Sequence, residues 1–102
     1  IIQNQIPKKD CFNRIADIFF RKRKWKEAVF WYKKALEIED TADSSYQNYY
    51  SNICIGVCYY WLGDLEKANK YNEEGGKINR NDKIYLENKT IYESNQKVHI
   101  KL

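Results

Sequence analysis

One run of cations stands out among the side chains that could bind or react. Residues 21–26 read RKRKWK, five positive charges in six positions. Such a cluster can attract phosphate groups of a nucleic acid or an anionic surface. It can also be a solvated turn whose cations favour the C-terminal end of a preceding helix. We interpret it as a turn and keep the phosphate-binding patch as the alternative.

Two thiols form the second candidate for chemistry. Cys54 and Cys58 lie four residues apart and would share one face of a helix. A structural zinc site needs about four ligands, and the chain offers only one histidine, His99, far along the sequence. We therefore predict that both thiols are small core residues and that no metal is bound.

Nothing in the sequence suggests catalysis. A nucleophile needs a base within hydrogen-bonding reach, and the single histidine lies near the C-terminal end. The glycine pair at 75–76 lies in a segment with a helical pattern and not in a phosphate-binding loop. We predict no catalytic residue and no cofactor.

Composition narrows the class of protein. The 102 residues suffice for one domain, and a single proline with four glycines favours long helices. The net charge of +4 comes from 18 basic and 14 acidic residues, a small excess that makes nucleic acid an unlikely partner. Three cysteines allow no complete disulfide framework, so we expect a cytoplasmic protein.

Residues 44–63 carry no charge over about twenty positions, a length that could span a bilayer. Gln47, Asn48 and Asn52 interrupt the apolar residues, so we predict a buried helix and no membrane span. Residue 1 is not methionine, and we expect the chain to be a segment of a longer protein.

An internal repeat organises the chain. Small residues recur at two sets of positions forty residues apart: 16, 28 and 35, then 56, 68 and 75. Apolar residues at i, i+3, i+4 and i+7 accompany each set, as in amphipathic helices. The small residues let antiparallel helices approach closely. Gly63 is placed to end one helix, and Asp64 to cap the next.

This pattern resembles the tetratricopeptide repeat over residues 10 to 80. The second copy departs from the family pattern at Asn52 and Asn72, where aromatic residues are expected, and Asp40 and Arg80 stand in place of proline. The copies are forty residues apart, not about 34, so we expect a longer connection around residues 40–46.

The resemblance implies an all-α, TPR-like helical repeat with two helix-turn-helix units and a capping helix. We predict helices at about 10–22, 25–39, 45–62, 65–78 and 83–98, with Asp10 capping the first. The predicted organisation is a linker at 1–9, repeats at 10–40 and 44–80, and at 82–100 a cap or the start of a third repeat. In the last helix the apolar residues Ile84, Ile91 and Val98 recur every seven positions, with Tyr85 and Tyr92 beside them.

In the family, the first helix of each pair lines a concave groove. Projected here, this implies a partner-binding groove for a protein or peptide, with a homodimer as a further option. The alternative is that another part of the parent protein covers this surface. Asp17, Ile53 and Val57 occupy positions where the family's chaperone-tail clamp needs amide and basic side chains, so no chaperone-tail binding is expected. The groove residues are Asn13, Asp17, Phe20, Arg21, Ile53, Val57, Tyr60, Trp61, Glu87 and Ile91.

A narrower resemblance concerns the amino-acid sequences of three segments: RIADIFF at 14–20, AVFWYKKALEIED at 28–40 and VCYYWLGDLEKANKYNEEGGKINRND at 57–82. They are similar to the repeat segment that follows the catalytic domain in bacterial glycosyltransferases of the inverting family 2, GT-A type. The Asp-x-Asp site of that family is absent. The resemblance implies a non-catalytic interaction or dimerisation module from such an enzyme. A free-standing adaptor and, less favoured, a basic-patch binder are the alternatives.

Overall fold

The chain folds into five α-helices and, within the described residues, no strands. The computed structural model describes residues 8–39 and 44–101, with side chains through residue 95. The helices are α1 (Lys8–Arg21), α2 (Trp25–Glu37), α3 (Ser45–Trp61), α4 (Leu65–Ile78) and α5 (Lys83–Lys101). Each helix packs on the next along the chain, and α1 also contacts α3. This confirms the predicted all-α helical-repeat architecture.

The two helical hairpins close with the same turn. In the first, the Arg23 and Lys24 amides donate to the carbonyls of Phe20 and Phe19, both at 2.9 Å. Forty residues later, the Gly63 and Asp64 amides donate to the carbonyls of Tyr60 and Tyr59, at 3.1 and 2.9 Å. Both are Schellman motifs, which satisfy the last carbonyls of a helix. The internal repeat therefore extends to individual backbone hydrogen bonds.

A left-handed residue makes each Schellman turn. Gly63 has φ of 86°, and Arg23, at the equivalent place, has φ of 60°. The Asp64 side chain then accepts the Lys67 amide at 3.0 Å and caps α4, as predicted. The first turn has no such side-chain cap, because the residue equivalent to Asp64 in the first repeat is Lys24.

Small residues make the closest contacts between helices. Ala16, Ala28 and Ala68 are all fully buried. A Cβ added to Gly56 would lie 3.0 Å from the Ala68 carbonyl oxygen, so α3 and α4 meet backbone to backbone. Around these points lies a core that includes Tyr32, Ile55 and Cys58. The predicted role of small residues is confirmed.

The first helix begins earlier than predicted. It starts at Lys8, so Lys8 and Lys9 belong to α1 and not to the linker expected over residues 1–9. Lys9 is buried, and its Nζ donates to the Ala35 carbonyl at 2.7 Å, near the C-terminal end of α2. Asp10 is therefore not the cap: it lies in the first turn and pairs with Arg14 at 2.8 Å. Positions 40–43 of the predicted long connection lie outside the described residues.

The last helix buries its tyrosines and leaves its isoleucines on the surface. Tyr85 and Tyr92 are 7% and 2% exposed, whereas Ile84 and Ile91 are 55% and 45% exposed. Gly76 explains this choice, since a Cβ there would lie 2.3 Å from the Tyr85 ring. The absence of a side chain at Gly76 leaves the space that the Tyr85 ring occupies. The side chain of Val98 lies outside the described part of α5.

An ion-pair network also holds α5 against α4. The Lys89 ammonium lies 2.9 Å from Glu73 and 2.8 Å from Glu93. The Tyr85 hydroxyl donates to the other Glu73 oxygen at 3.0 Å. These contacts are partly exposed, so each contributes modestly, but together they fix the rotation of α5 that buries its tyrosines.

Candidate binding surface

Two of the predicted groove residues lie between helices and not on the surface. Asn13 is 2% exposed; its amide donates to Gln47 at 2.7 Å and accepts the Ser51 hydroxyl at 2.8 Å. Ile53 is 7% exposed and faces Gly75 of α4. Both side chains join neighbouring helices and offer little surface to a partner.

Asp17 is held by two tyrosines. The Tyr32 and Tyr50 hydroxyls each donate to the same carboxylate oxygen at 2.6 Å. Burial raises the pKa of both phenols above their usual range, and the bond to the carboxylate adds to the shift. The phenols stay neutral donors at physiological pH. Asp17 therefore links α1, α2 and α3.

A cavity forms where the first turn meets the end of α3. Its volume is about 330 Å³, and its lining is Phe20, Arg21, Arg23, Trp25 and Trp61. Three of these, Phe20, Arg21 and Trp61, were among the predicted groove residues. Arg23 and Trp25 were not, although the RKRKWK run that contains them was the most conspicuous signal in the sequence. We refer to this cavity as the Trp–Arg pocket.

Aromatic rings continue from the Trp–Arg pocket toward α5. The Phe20 and Trp25 ring centroids are 5.2 Å apart, edge to face, and Trp25 lies 6.1 Å from Trp61 with the planes nearly parallel. Trp61 contacts Tyr60 at 5.2 Å, and Tyr60 contacts Tyr92 at 5.6 Å. These offset and edge-on geometries suit aromatic pairs. Trp61 nevertheless remains 56% exposed.

The remaining predicted groove residues do not line the Trp–Arg pocket. Val57 is partly buried on α3. Glu87 and Ile91 are exposed on α5, and Glu87 lies 4.0 Å from Lys83.

The pocket is basic, and its cations form no ion pair with the acidic side chains that the structure describes. Arg21, Lys22, Arg23, Lys24 and Lys26 are all exposed. Over residues 8–39 and 44–95, none of these five cations forms an ion pair with a described acidic side chain. The hydrogen-bonded turn between α1 and α2 lies within this run, as predicted. The exposure of Arg21 and Arg23 leaves their guanidinium groups available to a ligand.

The thiols of α3 are part of the core. Cys58 is fully buried and Cys54 packs against the core cluster. Burial raises the pKa of each thiol to about 12. In the part of the chain that the structure describes, no group of three or more His, Cys, Asp or Glu is placed to hold a metal ion.

Comparison with known proteins adds no identification. No protein-family model matches this chain, and no curated protein matches its sequence. None of the described helices is both long enough and apolar enough to cross a membrane.

Proposed function

We propose that this chain is a non-catalytic interaction module that binds a segment of a partner polypeptide at the Trp–Arg pocket. The observation that carries the proposal is the cavity lined by Trp25 and the exposed Trp61 beside two arginines. Tryptophan and arginine are enriched among the residues that dominate binding energy at protein interfaces. A large ring that is more than half exposed gains free energy when a partner covers it.

The scaffold suits this role. Three elements position the pocket: the C-terminal ends of α1 and α3, and the start of α2. Hydrogen-bonded turns and ring contacts hold these ends together. A site built on packed helices loses little conformational freedom on binding, which favours affinity.

We propose further that the module is of the tetratricopeptide type. The support is the forty-residue repeat, with equivalent small residues and equivalent turn hydrogen bonds. We propose a cytoplasmic location from the odd number of cysteines. We propose an origin in a bacterial glycosyltransferase from the sequence similarity of three segments. The full gene tests the origin: an upstream domain with an Asp-x-Asp motif supports it, and a different upstream domain contradicts it.

Selection from a random peptide library displayed on phage tests the binding function. We expect enrichment on the wild-type chain and at least a roughly tenfold weaker affinity of the selected peptides for Trp61→Ala. Tyr46→Ala is the matched control, because Tyr46 is 69% exposed on α3 and does not line the pocket. The proposal is contradicted if no peptide is enriched on the wild-type chain. It is also contradicted if Trp61→Ala and Tyr46→Ala lose affinity for the selected peptides equally.

The homodimer remains a prediction. Sedimentation velocity of the purified chain over a range of concentrations tests it. A sedimentation coefficient that rises with concentration supports self-association, and a constant monomer value contradicts it.

A further inference from the structure

The two repeats differ at the positions that line the Trp–Arg pocket. At equivalent places, Arg21 corresponds to Trp61, and Arg23 to Gly63. Glycine is the residue that tolerates a left-handed backbone without strain. The first repeat instead keeps an arginine there, with φ of 60°. A non-glycine residue in this conformation raises the question of a function for its side chain.

The contents of the pocket indicate a ligand with two chemical features. The rings of Phe20, Trp25 and Trp61 offer an apolar surface, and the guanidinium groups of Arg21 and Arg23 offer paired donors for carboxylates. The volume of about 330 Å³ is at the small end for ligand clefts. It suits one large side chain, with the rest of the ligand lying outside on the basic turn.

The distribution of charge favours a short ligand over a long polyanion. The basic run ends at Lys26, and the equivalent turn of the second repeat reads Leu62-Gly63-Asp64. A single-stranded nucleic acid needs a positive groove that follows its backbone over several nucleotides. The basic surface is not repeated at this second turn, so the nucleic acid is the less suitable partner.

We propose that the Trp–Arg pocket binds an acidic peptide segment in which one aromatic or large apolar side chain enters the cavity and flanking carboxylates pair with Arg21 and Arg23. This inference rests on the proposed function and specifies its partner. Exposed pairs are screened by salt, so the affinity falls as ionic strength rises, while the apolar contact with Trp61 persists.

Titration with short capped peptides tests this specificity, with tryptophan fluorescence as the readout. The probe is a pentapeptide of phenylalanine flanked by two acidic residues on each side. The comparison peptides replace the acidic residues by lysine, or the phenylalanine by serine. We expect saturable binding of the probe only, weakened about threefold to tenfold by Arg23→Gly. Arg80→Gly, a loss of the same charge in an exposed turn, leaves binding unchanged.

Several outcomes overturn the inference. One is equal affinity of Arg23→Gly and wild type for the probe, and another is tighter binding of the lysine peptide. A third is a higher affinity for a thymidine oligonucleotide than for the probe. If the phage selection yields uncharged peptides that need Trp61 but not Arg23, the specificity fails while the proposed function stands. If no peptide is enriched at all, the proposed function itself fails.

Discussion

At the scale of single residues, the backbone of Arg23 is the clearest departure from what folding alone favours. The left-handed conformation costs a non-glycine residue about 1–2 kcal/mol. The equivalent residue, Gly63, avoids that cost, and the hydrogen bonds of the two turns are otherwise the same. If the proposed function is correct, stability favours glycine at this position and binding favours arginine.

We expect Arg23→Gly to raise the free energy of unfolding by about 0.5–1 kcal/mol. The strain energy that glycine relieves in the left-handed backbone exceeds the conformational entropy that glycine adds to the unfolded chain. Urea denaturation followed by circular dichroism measures it. Gly63→Ala is the counterpart, with an expected loss of about 1 kcal/mol. Nothing lies within 4 Å of a Cβ at Gly63, so no steric clash contributes to this loss. An equal effect of both substitutions contradicts the argument.

Neighbouring glycines in α4 provide a second comparison. Replacing glycine by alanine inside a helix gains up to about 1 kcal/mol from propensity. At Gly75 the added Cβ meets the flexible end of Ile53, at 2.8 Å, so we expect a change near zero. At Gly76 it lies 2.3 Å from the buried Tyr85 ring. We expect Gly76→Ala to lower the free energy of unfolding by about 1–3 kcal/mol.

Denaturation of both alanine variants measures this difference. Gly75→Ala is the control, since it makes the same chemical change one residue away. Hydrogen exchange in α5 is expected to rise in Gly76→Ala, because Tyr85 anchors that helix. Equal stability of the two variants contradicts the steric explanation for the buried face of α5.

At the scale of elements, the start of α5 depends on a carboxylate. Asp82 accepts the Ile84 amide at 3.0 Å and the Tyr49 hydroxyl of α3. The bond from Tyr49 is the main cause that lowers the pKa of Asp82 below its usual value. One side chain thus caps α5 and also ties it to the second hairpin.

This contact makes the stability depend on pH. Because the folded-state pKa of Asp82 is lowered, its contribution is fully present above the unfolded value of about 3.9. It is lost as the pH falls through the folded value. We expect Tyr49→Phe to be less stable than wild type, with a gap that is constant above about pH 5 and narrows below about pH 4.

Urea denaturation from neutral to acidic pH measures this gap. Asp82→Asn is the control, since it keeps a side chain of similar shape without the titrating carboxyl group. In the Asp82→Asn background, Tyr49→Phe is expected to have a cost that does not change over the same pH range. A gap between wild type and Tyr49→Phe that widens at low pH contradicts the assignment.

At the scale of the whole molecule, the core protects two of the three thiols. A pKa of about 12 leaves roughly one Cys54 or Cys58 side chain in ten thousand as thiolate near pH 8. This small thiolate fraction slows their alkylation in the folded protein. We expect Cys11 to react first and the other two at least about a hundredfold more slowly, because burial raises the pKa of Cys54 and Cys58.

Mass spectrometry of iodoacetamide labelling over time checks this order. In concentrated urea the three thiols are expected to react at similar rates, which serves as the control. Rapid native labelling of Cys54 contradicts a packed core at the junction of the two hairpins.

Much of the fold was predictable because its determinants are local. The predicted bounds of α4, about 65–78, match the observed helix, and Gly63 and Asp64 mark its start through backbone conformation and capping. Close helix contacts at Ala16 and Ala28 followed from the spacing of small residues. The candidate site was only partly predictable: Phe20, Arg21 and Trp61 were expected to share a surface, whereas the burial of Asn13 was not.

By itself, the sequence determined the helices, the turns and the repeat, because these depend on residues within a few positions of one another. Tertiary structure alone decided which face of α5 is buried and which side chains meet in the Trp–Arg pocket. The space beside Gly76 admits Tyr85, and the end of α3 brings Trp61 against Trp25. Such choices depend on the shape left by residues distant in the chain, which helical periodicity does not encode.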